Sequence, residues 1–334
     1  MDVLALPKII FCQYIKENLI VKLSLIFKKR DLWKIYLFKI KKNENIFNCN
    51  LKKAIKIIGE NGIRLTKDFY HTTADPFLFE ENGKLYIFYE MKSDFSKGFI
   101  CAESFDGNTW KNYGCVLKDE FHISYPQIFR FNNKIFMMPE TEEDGKVWLY
   151  ESVTFPSQWK KNRVLISNKL VDTNLLINDV GIFLLGTHKL DGLCVYHASS
   201  FEEEFNSLYI EKTNHAMSSR NAGAILKFQK KYYRVFQDCS RFYGEKIGIS
   251  EILAIDKLNY FENIINFNFL ENRILIKNCI GHHHISELNY NNDVYIAVDI
   301  LKKDLYINTF IFAVFRFLIL LKKCNEKFKI KFRR

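Results

Sequence analysis

One strand-turn-strand pattern recurs five times along the 334 residues: ADPFLFEENGKLYIFYE (74–90), YPQIFRFNNKIFMMPE (125–140), DTNLLINDVGIFLLGT (172–187), AGAILKFQKKYYRVFQ (222–237) and HISELNYNNDVYIAVD (284–299). Counted from Asp75, the steps are 50, 47, 50 and 62 residues, and no unit needs an internal gap. Each unit is a pair of β-favouring runs around turn residues, and the Asn-Gly of the first is the strongest short-range hairpin signal. Third-strand candidates follow the first four units: GFICAESFDG (98–107), VWLYES (147–152), LCVYHASS (193–200) and KIGISEIL (246–253). The connecting stretches, such as NYGCVLK and NRVLIS, leave room for a fourth strand. Four short strands in each period of about 40–50 residues are propeller blades, so the sequence predicts an all-β, five-bladed β-propeller. A solenoid would need terminal caps and a more uniform repeat, and a sandwich would not repeat one unit five times.

The propeller is expected over residues 59–301. It is flanked by an N-terminal basic extension, 1–58, and an amphipathic basic C-terminal segment, 302–334. Within the extension, WKIYLFKIKK (33–42) is a spare strand able to complete the last blade and close the ring. Abundant Phe (31) and Tyr (17) beside scarce Gly and Pro suit packed sheets. The net charge of +11 is unevenly placed: residues 1–58 carry 13 Lys/Arg against 4 Asp/Glu, and 302–334 carry 10 against 2. Residues 59–301 therefore hold 26 basic and 32 acidic residues and are net −6, the reverse of what a nucleic-acid-binding core requires.

Eight scattered Cys without a C-x-x-C pair read as reduced cytosolic thiols. Near the N-terminus the apolar run is broken by Lys8, Lys16, Glu17 and Lys22, so no signal peptide is expected. TFIFAVFRFLILL (309–321) is shorter than the roughly 20 residues that cross a bilayer and contains Arg316. With the basic KKCNEKFKIKFRR after it, it reads either as a segment lying on an anionic membrane leaflet or as a terminal helix docked on the domain. The expected location is cytoplasmic, peripheral on the inner face of the membrane.

Propeller geometry brings equivalent strand ends to one axis. The strand-opening positions are Asp75, Tyr125, Asp172, Ala222 and His284; the closing positions are Glu90, Glu140, Thr187, Gln237 and Asp299, followed by His188 and Asp238. Converging carboxylates bind a cation, hold the hydroxyls of a polar ligand, or work as an acid/base pair whose pKa values are driven apart. Sugar hydrolysis uses the last arrangement; taken singly, such residues also cap turns or face solvent. Arg220, in MSSRNAG (217–223), is placed to clamp a carboxylate or phosphate. In GHHHIS (281–286), alternation allows at most His282 and His284 to share a side, so no transition-metal site is expected. A structural Ca²⁺ in the central channel stays open.

ADPFLFE, HISYPQIF followed by MMPE, FPSQW, SSRNAG and QDCSRFYG resemble the N-terminal propeller domain of glucosamine inositolphosphorylceramide transferases and its bacterial relatives, over residues of about 64–301. That domain is in turn similar to the five-bladed glycoside hydrolases of the arabinanase, β-xylosidase and invertase type. There an Asp of the first blade is base or nucleophile, a second Asp orients and a Glu is the general acid. The resemblance implies Asp75 in the first role, with Glu140 as acid and Asp172 as orienting carboxylate by position. Glu90, Tyr125, His188, Arg220, Asp238 and His284 would contact substrate. Tyr125 departs from the Asp common in the second blade of those enzymes. The glycosyltransferase domain of the plant proteins is not expected after the fifth unit, so neither hydrolysis nor transfer carries over automatically. Two functions are implied: a carbohydrate-active enzyme working on a glycan or glycolipid in bacterial surface polysaccharide synthesis, or a non-catalytic module presenting a glycan to a separate glycosyltransferase. A structural propeller with mutually paired rim residues is the plain alternative.

Overall fold

The structure, a computed structural model, describes residues 31–59, 71–93, 96–211 and 218–303. The C-terminal run 309–321 and residues 1–30 lie outside them. Among the described residues no helix is long and apolar enough to cross a membrane.

Among the described residues two strands precede the first repeat, β1 (Asp31–Lys41) and β2 (Lys56–Ile57). Blade I is β3 (His71–Glu81), β4 (Lys84–Ser93), β5 (Phe99–Phe105) and β6 (Trp110–Leu117). Blade II is β7 (Ser124–Phe131), β8 (Lys134–Glu140), β9 (Val147–Thr154) and β10 (Gln158–Ile166). Blade III is β11 (Leu170–Asn178), β12 (Gly181–His188), β13 (Gly192–Ala198) and β14 (Asn206–Ile210). Blade IV is β15 (Leu226–Phe228), β16 (Lys231–Asp238), β17 (Lys246–Ile255) and β18 (Tyr260–Asn266). Blade V joins β19 (Cys279–Tyr290) and β20 (Asp293–Lys303) to the two early strands, in the order β19-β20-β1-β2. The ring is thus closed by strands from opposite ends of the repeat array. The boundary expected at residue 59 moves back accordingly, and the compact unit runs from Trp33 to Lys302. WKIYLFKIKK pairs inside a sheet because it is apolar on both faces, with Ile35 and Leu37 on one and Tyr36 and Phe38 on the other.

The same logic repeats around the ring. A blade is sandwiched between two others, so its strands bury both faces and read as continuous apolar runs. In LYIFYE, Leu85, Ile87 and Tyr89 pack toward blade V while Tyr86 and Phe88 pack toward blade II. Five apolar clusters result, one for each interface between neighbouring blades. At about 1.5–3 kcal/mol per buried large apolar side chain, these layers dominate stability. The inner hairpins of blades I, II, IV and V turn through residues with positive φ: Asn82-Gly83, Asn132-Asn133, Gln229-Lys230 and Asn291-Asn292. Such type I′ turns match the strand twist. The blade III turn instead uses the Asn178 side chain, whose Oδ1 accepts from Val180 N at 2.9 Å.

Candidate functional site

The inner strand of a blade does not run straight to the axis. Its register with the second strand slips between Ala74 and Phe77, Ser124 and Gln127, Val171 and Asn174, and His282 and Ile285. These bulges stand at one end of the ring. In three of them the bulged residue is left-handed although it is not glycine: Asp75 (φ 52°), Tyr125 (φ 48°) and Asp172 (φ 47°). Such a conformation costs about 1–3 kcal/mol and persists only where its surroundings enforce it. The kink turns the side chain off the sheet face and into the mouth of the channel.

Carboxylates hold these kinks in place. Asp299 Oδ2 accepts from Asp75 N at 3.0 Å, Asp75 Oδ2 from Tyr125 N at 3.2 Å, and Glu140 Oε2 from Asp172 N at 3.0 Å. Each bond runs from one blade to the next, V to I, I to II and II to III. Beyond blade III the link changes chemistry: Arg220 Nε donates to Asp172 Oδ2, with a second nitrogen 4.0 Å from Glu140 Oε2. Gln237 Nε2 reaches the same Asp172 oxygen at 3.0 Å, and Asn221 Nδ2 bonds Asp172 O at 2.7 Å. Tyr125 closes the floor, its hydroxyl donating to Asn174 Oδ1 (2.9 Å) or Gly223 O (3.0 Å) and accepting from Gly223 N (2.9 Å). An added Cβ at Gly223 would run into Ile285 O, so only glycine lets blade IV approach blade V here.

Asp75, Glu140 and Asp172, expected to be the working carboxylates, therefore share one funnel with Glu90, Tyr125 and Arg220. Burial raises three of these carboxyls. Burial first, and then the neighbouring Asp172 charge, push the Glu140 carboxyl well above the usual range. Burial likewise raises Asp75, against the pull of His283 and with the charges of Glu90, Asp172 and Asp299 adding to the rise. Glu90 is pushed up to about 7, chiefly by burial. Its Oε1 is buried with no hydrogen-bond partner among the described residues and lies 3.5 Å from His122 Nε2.

One member of the site, His283, escaped the sequence reading, and Asp299 was read as a strand-closing position with no role assigned to it. Asp299 is fully buried, and its Oδ1 accepts from the backbone of His283 (3.1 Å) and His284 (2.8 Å). His283 Nδ1 lies 2.9 Å from Asp299 Oδ2 and its Nε2 lies 3.4 Å from Asp75 Oδ1. Burial works against the charge of this ring, but Asp299 and Asp75 prevail and raise its pKa to about 9. Burial also disfavours ionisation of Asp299, and here the His283 charge and hydrogen bond prevail, leaving its pKa below the ordinary value. The bulge explains the miss. It breaks the alternation that put His282 and His284 on one side and aims the middle histidine at the axis.

His284, expected to contact substrate, is fully buried instead, 4.7 Å from the Phe77 ring and 5.0 Å from the Tyr125 ring. Burial lowers its pKa to about 3. His188 and Asp238 turn to their own hairpins: His188 Nδ1 lies 2.6 Å from Asp191 Oδ2, and Asp238 Oδ1 accepts from Ser240 N at 3.0 Å. On the blade IV and V side the funnel is walled by aromatics, with Trp33 4.1 Å and Tyr243 5.1 Å from the His283 ring. The Arg220 guanidinium lies 4.9 Å over Tyr243.

Asp75, His283 and Asp299 bring three ligand-type atoms within 4.8 Å of one another. The set does not suit Ca²⁺, which takes six to eight oxygens: both Asp299 oxygens already accept N–H groups, and the His283 imidazolium supplies the positive charge.

A five-bladed propeller with a polar funnel at one end of its axis is the class this chain falls in. The catalytic domain of a Coprinopsis cinerea GH62 α-L-arabinofuranosidase shares the architecture, with a TM-score of 0.52 at 9% identity over 80% of this chain and 97% of that one. The family profile described as glucosamine inositolphosphorylceramide transferase 1, N-terminal, matches residues 65–300, and the chain belongs to that family. Curated relatives are the glucosamine inositolphosphorylceramide transferases 1 of Arabidopsis thaliana, 34% identical over 60% of this chain, and of Oryza sativa subsp. japonica, 31% identical over 67%. The matches cover 28% and 32% of those relatives' lengths, so the chain spans about a third of each.

Proposed function

We propose that the funnel takes a sugar residue of a glycan or glycolipid and acts on it by acid/base chemistry of the glycosyl cleavage or transfer type. The observation that carries this reading is the convergence of carboxyls in one mouth: Glu140 and Asp75, both pushed up by burial, stand around an Asp172 that is ion-paired to Arg220. In glycosyl chemistry two carboxyl groups divide the roles of acid and base, and Glu140 and Asp75 are the pair proposed for them. Glu140 is the proton donor to a leaving oxygen. Asp75 is the base, its affinity for a proton raised by burial and its orientation fixed by Tyr125 N. Asp172, with Arg220 and Gln237, orients the sugar. The setting proposed is the inner face of a membrane, in assembly of a surface polysaccharide or glycolipid, with a separate glycosyltransferase as partner. The relatives' names, which specify transfer to an inositolphosphorylceramide, support a glycolipid.

Thermal stabilisation by oligosaccharides, nucleotide sugars and glycolipids, with product analysis of each hit, tests the proposal. Asp75→Asn and Glu140→Gln should keep the stabilisation and lose turnover; undiminished turnover in Asp75→Asn would overturn the assignment. A second reading, a module that presents a glycan without converting it, is favoured by the engagement of the same oxygens in bonds between blades and by the Trp33 and Tyr243 wall. Binding by all three proteins with conversion by none is its signature.

A further inference from the structure

The carboxyls of the funnel are not equally engaged. Asp75, Glu140, Asp172 and Asp299 each accept a hydrogen bond from a neighbouring blade, donated by Tyr125 N, Asp172 N, Gln237 Nε2 and Asp75 N in turn. Glu90 accepts none from the described residues, although its charge is felt by Asp75 beside it. Its Oε1 is buried, yet the side chain as a whole keeps 11% exposure, which leaves Oε2 to a ligand.

The ring facing Oε1 belongs to His122, just ahead of blade II. Its Nδ1 accepts from Gly98 N at 3.0 Å, so in the neutral ring the proton is on Nε2. That nitrogen stands 3.5 Å from Glu90 Oε1. The backbone of the same residue is fixed as well: His122 N donates to Glu143 Oε2 at 2.6 Å, and Glu143 is ion-paired to Lys97. Burial, with the charges of Lys92, Lys97 and Arg220, lowers the His122 pKa to about 4 against the pull of Glu143. A neutral ring in one tautomer presents a single N–H to a single carboxylate oxygen. Gly98 closes the back of the pair, because any side chain there would collide with both.

We propose that Glu90, aimed by His122, is the specificity-determining carboxyl of the funnel and accepts through Oε2 the hydrogen bond of one sugar hydroxyl. His122 is a positioning residue that acts through Glu90, and the ligand class rests on the glycan-binding reading above. A buried carboxylate without a partner is costly, so a hydroxyl that supplies the missing bond is strongly preferred to an analogue that lacks it. Burial sets where Glu90 changes charge, with Lys92 and His283 favouring the ionised form and Asp172 and Asp299 opposing it. A hydroxyl bonds the ionised form more strongly than the protonated one. Docking therefore releases the Glu90 proton to solvent, and affinity rises as pH climbs through the Glu90 range.

The experiment uses the full chain carrying ¹³C at the glutamate carboxyls, with the Glu90 resonance identified by its loss in Glu90→Gln. That resonance should titrate with a midpoint of about 7. His122→Asn keeps an acceptor for Gly98 N and removes the N–H that faces Glu90, so the midpoint should climb to about pH 7.5 or above. His122→Gln, which restores an N–H at that reach, should bring it part of the way back; a merely structural His122 would leave it in place. Xylo-, malto- and cello-oligosaccharides supply the second arm. Any that the wild type holds in calorimetry should bind about tenfold more weakly to Glu90→Gln. Binding at neutral pH should also release protons, read as a difference in apparent enthalpy between phosphate and Tris buffers, and the variant should release none. A Glu90 that titrates at the ordinary value of about 4.3, a midpoint unmoved in His122→Asn, or an oligosaccharide held equally by wild type and Glu90→Gln would each overturn this inference alone. A screen in which no glycan binds would overturn the glycan reading and this inference with it.

Discussion

At the residue scale the funnel is governed by His283 and Glu90, and both leave a mark on stability against pH. The His283 pKa is raised to about 9 in the folded chain, against about 6.5 for an ordinary imidazole. A group raised on folding contributes stability that is complete below its unfolded pKa and is lost as pH climbs through the folded one. Calorimetry should therefore show the melting temperature falling between about pH 6.5 and 9, and His283→Gln should abolish that fall. At pH 6 the variant should lose about 3–5 kcal/mol, the cost of stranding buried carboxylates without their cation. Glu90 is raised in the same sense, from 4.5 to about 7, so its contribution is complete below the lower value and gone above the higher. Glu90→Gln should flatten the melting curve over that window and leave the higher one untouched. Gly98 sits against Glu90 and His122: a Cβ there would lie 2.5 Å from Glu90 Oε1 and 2.6 Å from His122 Cε1. Gly98→Ala is expected to cost about 1–3 kcal/mol by overpacking, measurable by urea denaturation.

At the scale of the element, the bulged inner strand turns a repeated hairpin into a site. Tyr125→Phe keeps the ring but removes the hydroxyl that serves Asn174 and Gly223. A loss of about 1–3 kcal/mol should follow from the polar groups left unpaired. The hairpins were legible in the chain because their signals are local: apolar runs on both faces and turn residues such as Asn82-Gly83. The bulges were not, because Asp, Tyr and Asp at equivalent positions form no composition signal. In blades I, II and III five paired residues separate the bulge from the turn, and in blade V there are six. Counting from the turn thus selects His284, whereas the fold selects His283. The same offset hid Asp299, which reads as a strand-closing residue but stands opposite the bulge.

For the whole molecule, closure decides whether there is a fold at all. β1 supplies the third strand of blade V and the layers against blades I and IV, with Ile35 and Leu37 facing one and Tyr36 and Phe38 the other. Deleting residues 1–58 should abolish cooperative unfolding, while deleting 1–30 should preserve it, because β1 begins at Asp31; circular dichroism melts distinguish the two. The sequence marked WKIYLFKIKK as a spare strand on its apolar pattern, yet pairing between distant parts of a chain leaves no local trace. Because each carboxylate clasp joins one blade to the backbone of the next, the axial opening behaves as an iris whose leaves are blades. On the proposed chemistry, a proton taken up at Asp75 or given up at Glu140 would alter the clasp on the left-handed kink that each holds, and with it the aperture of the mouth.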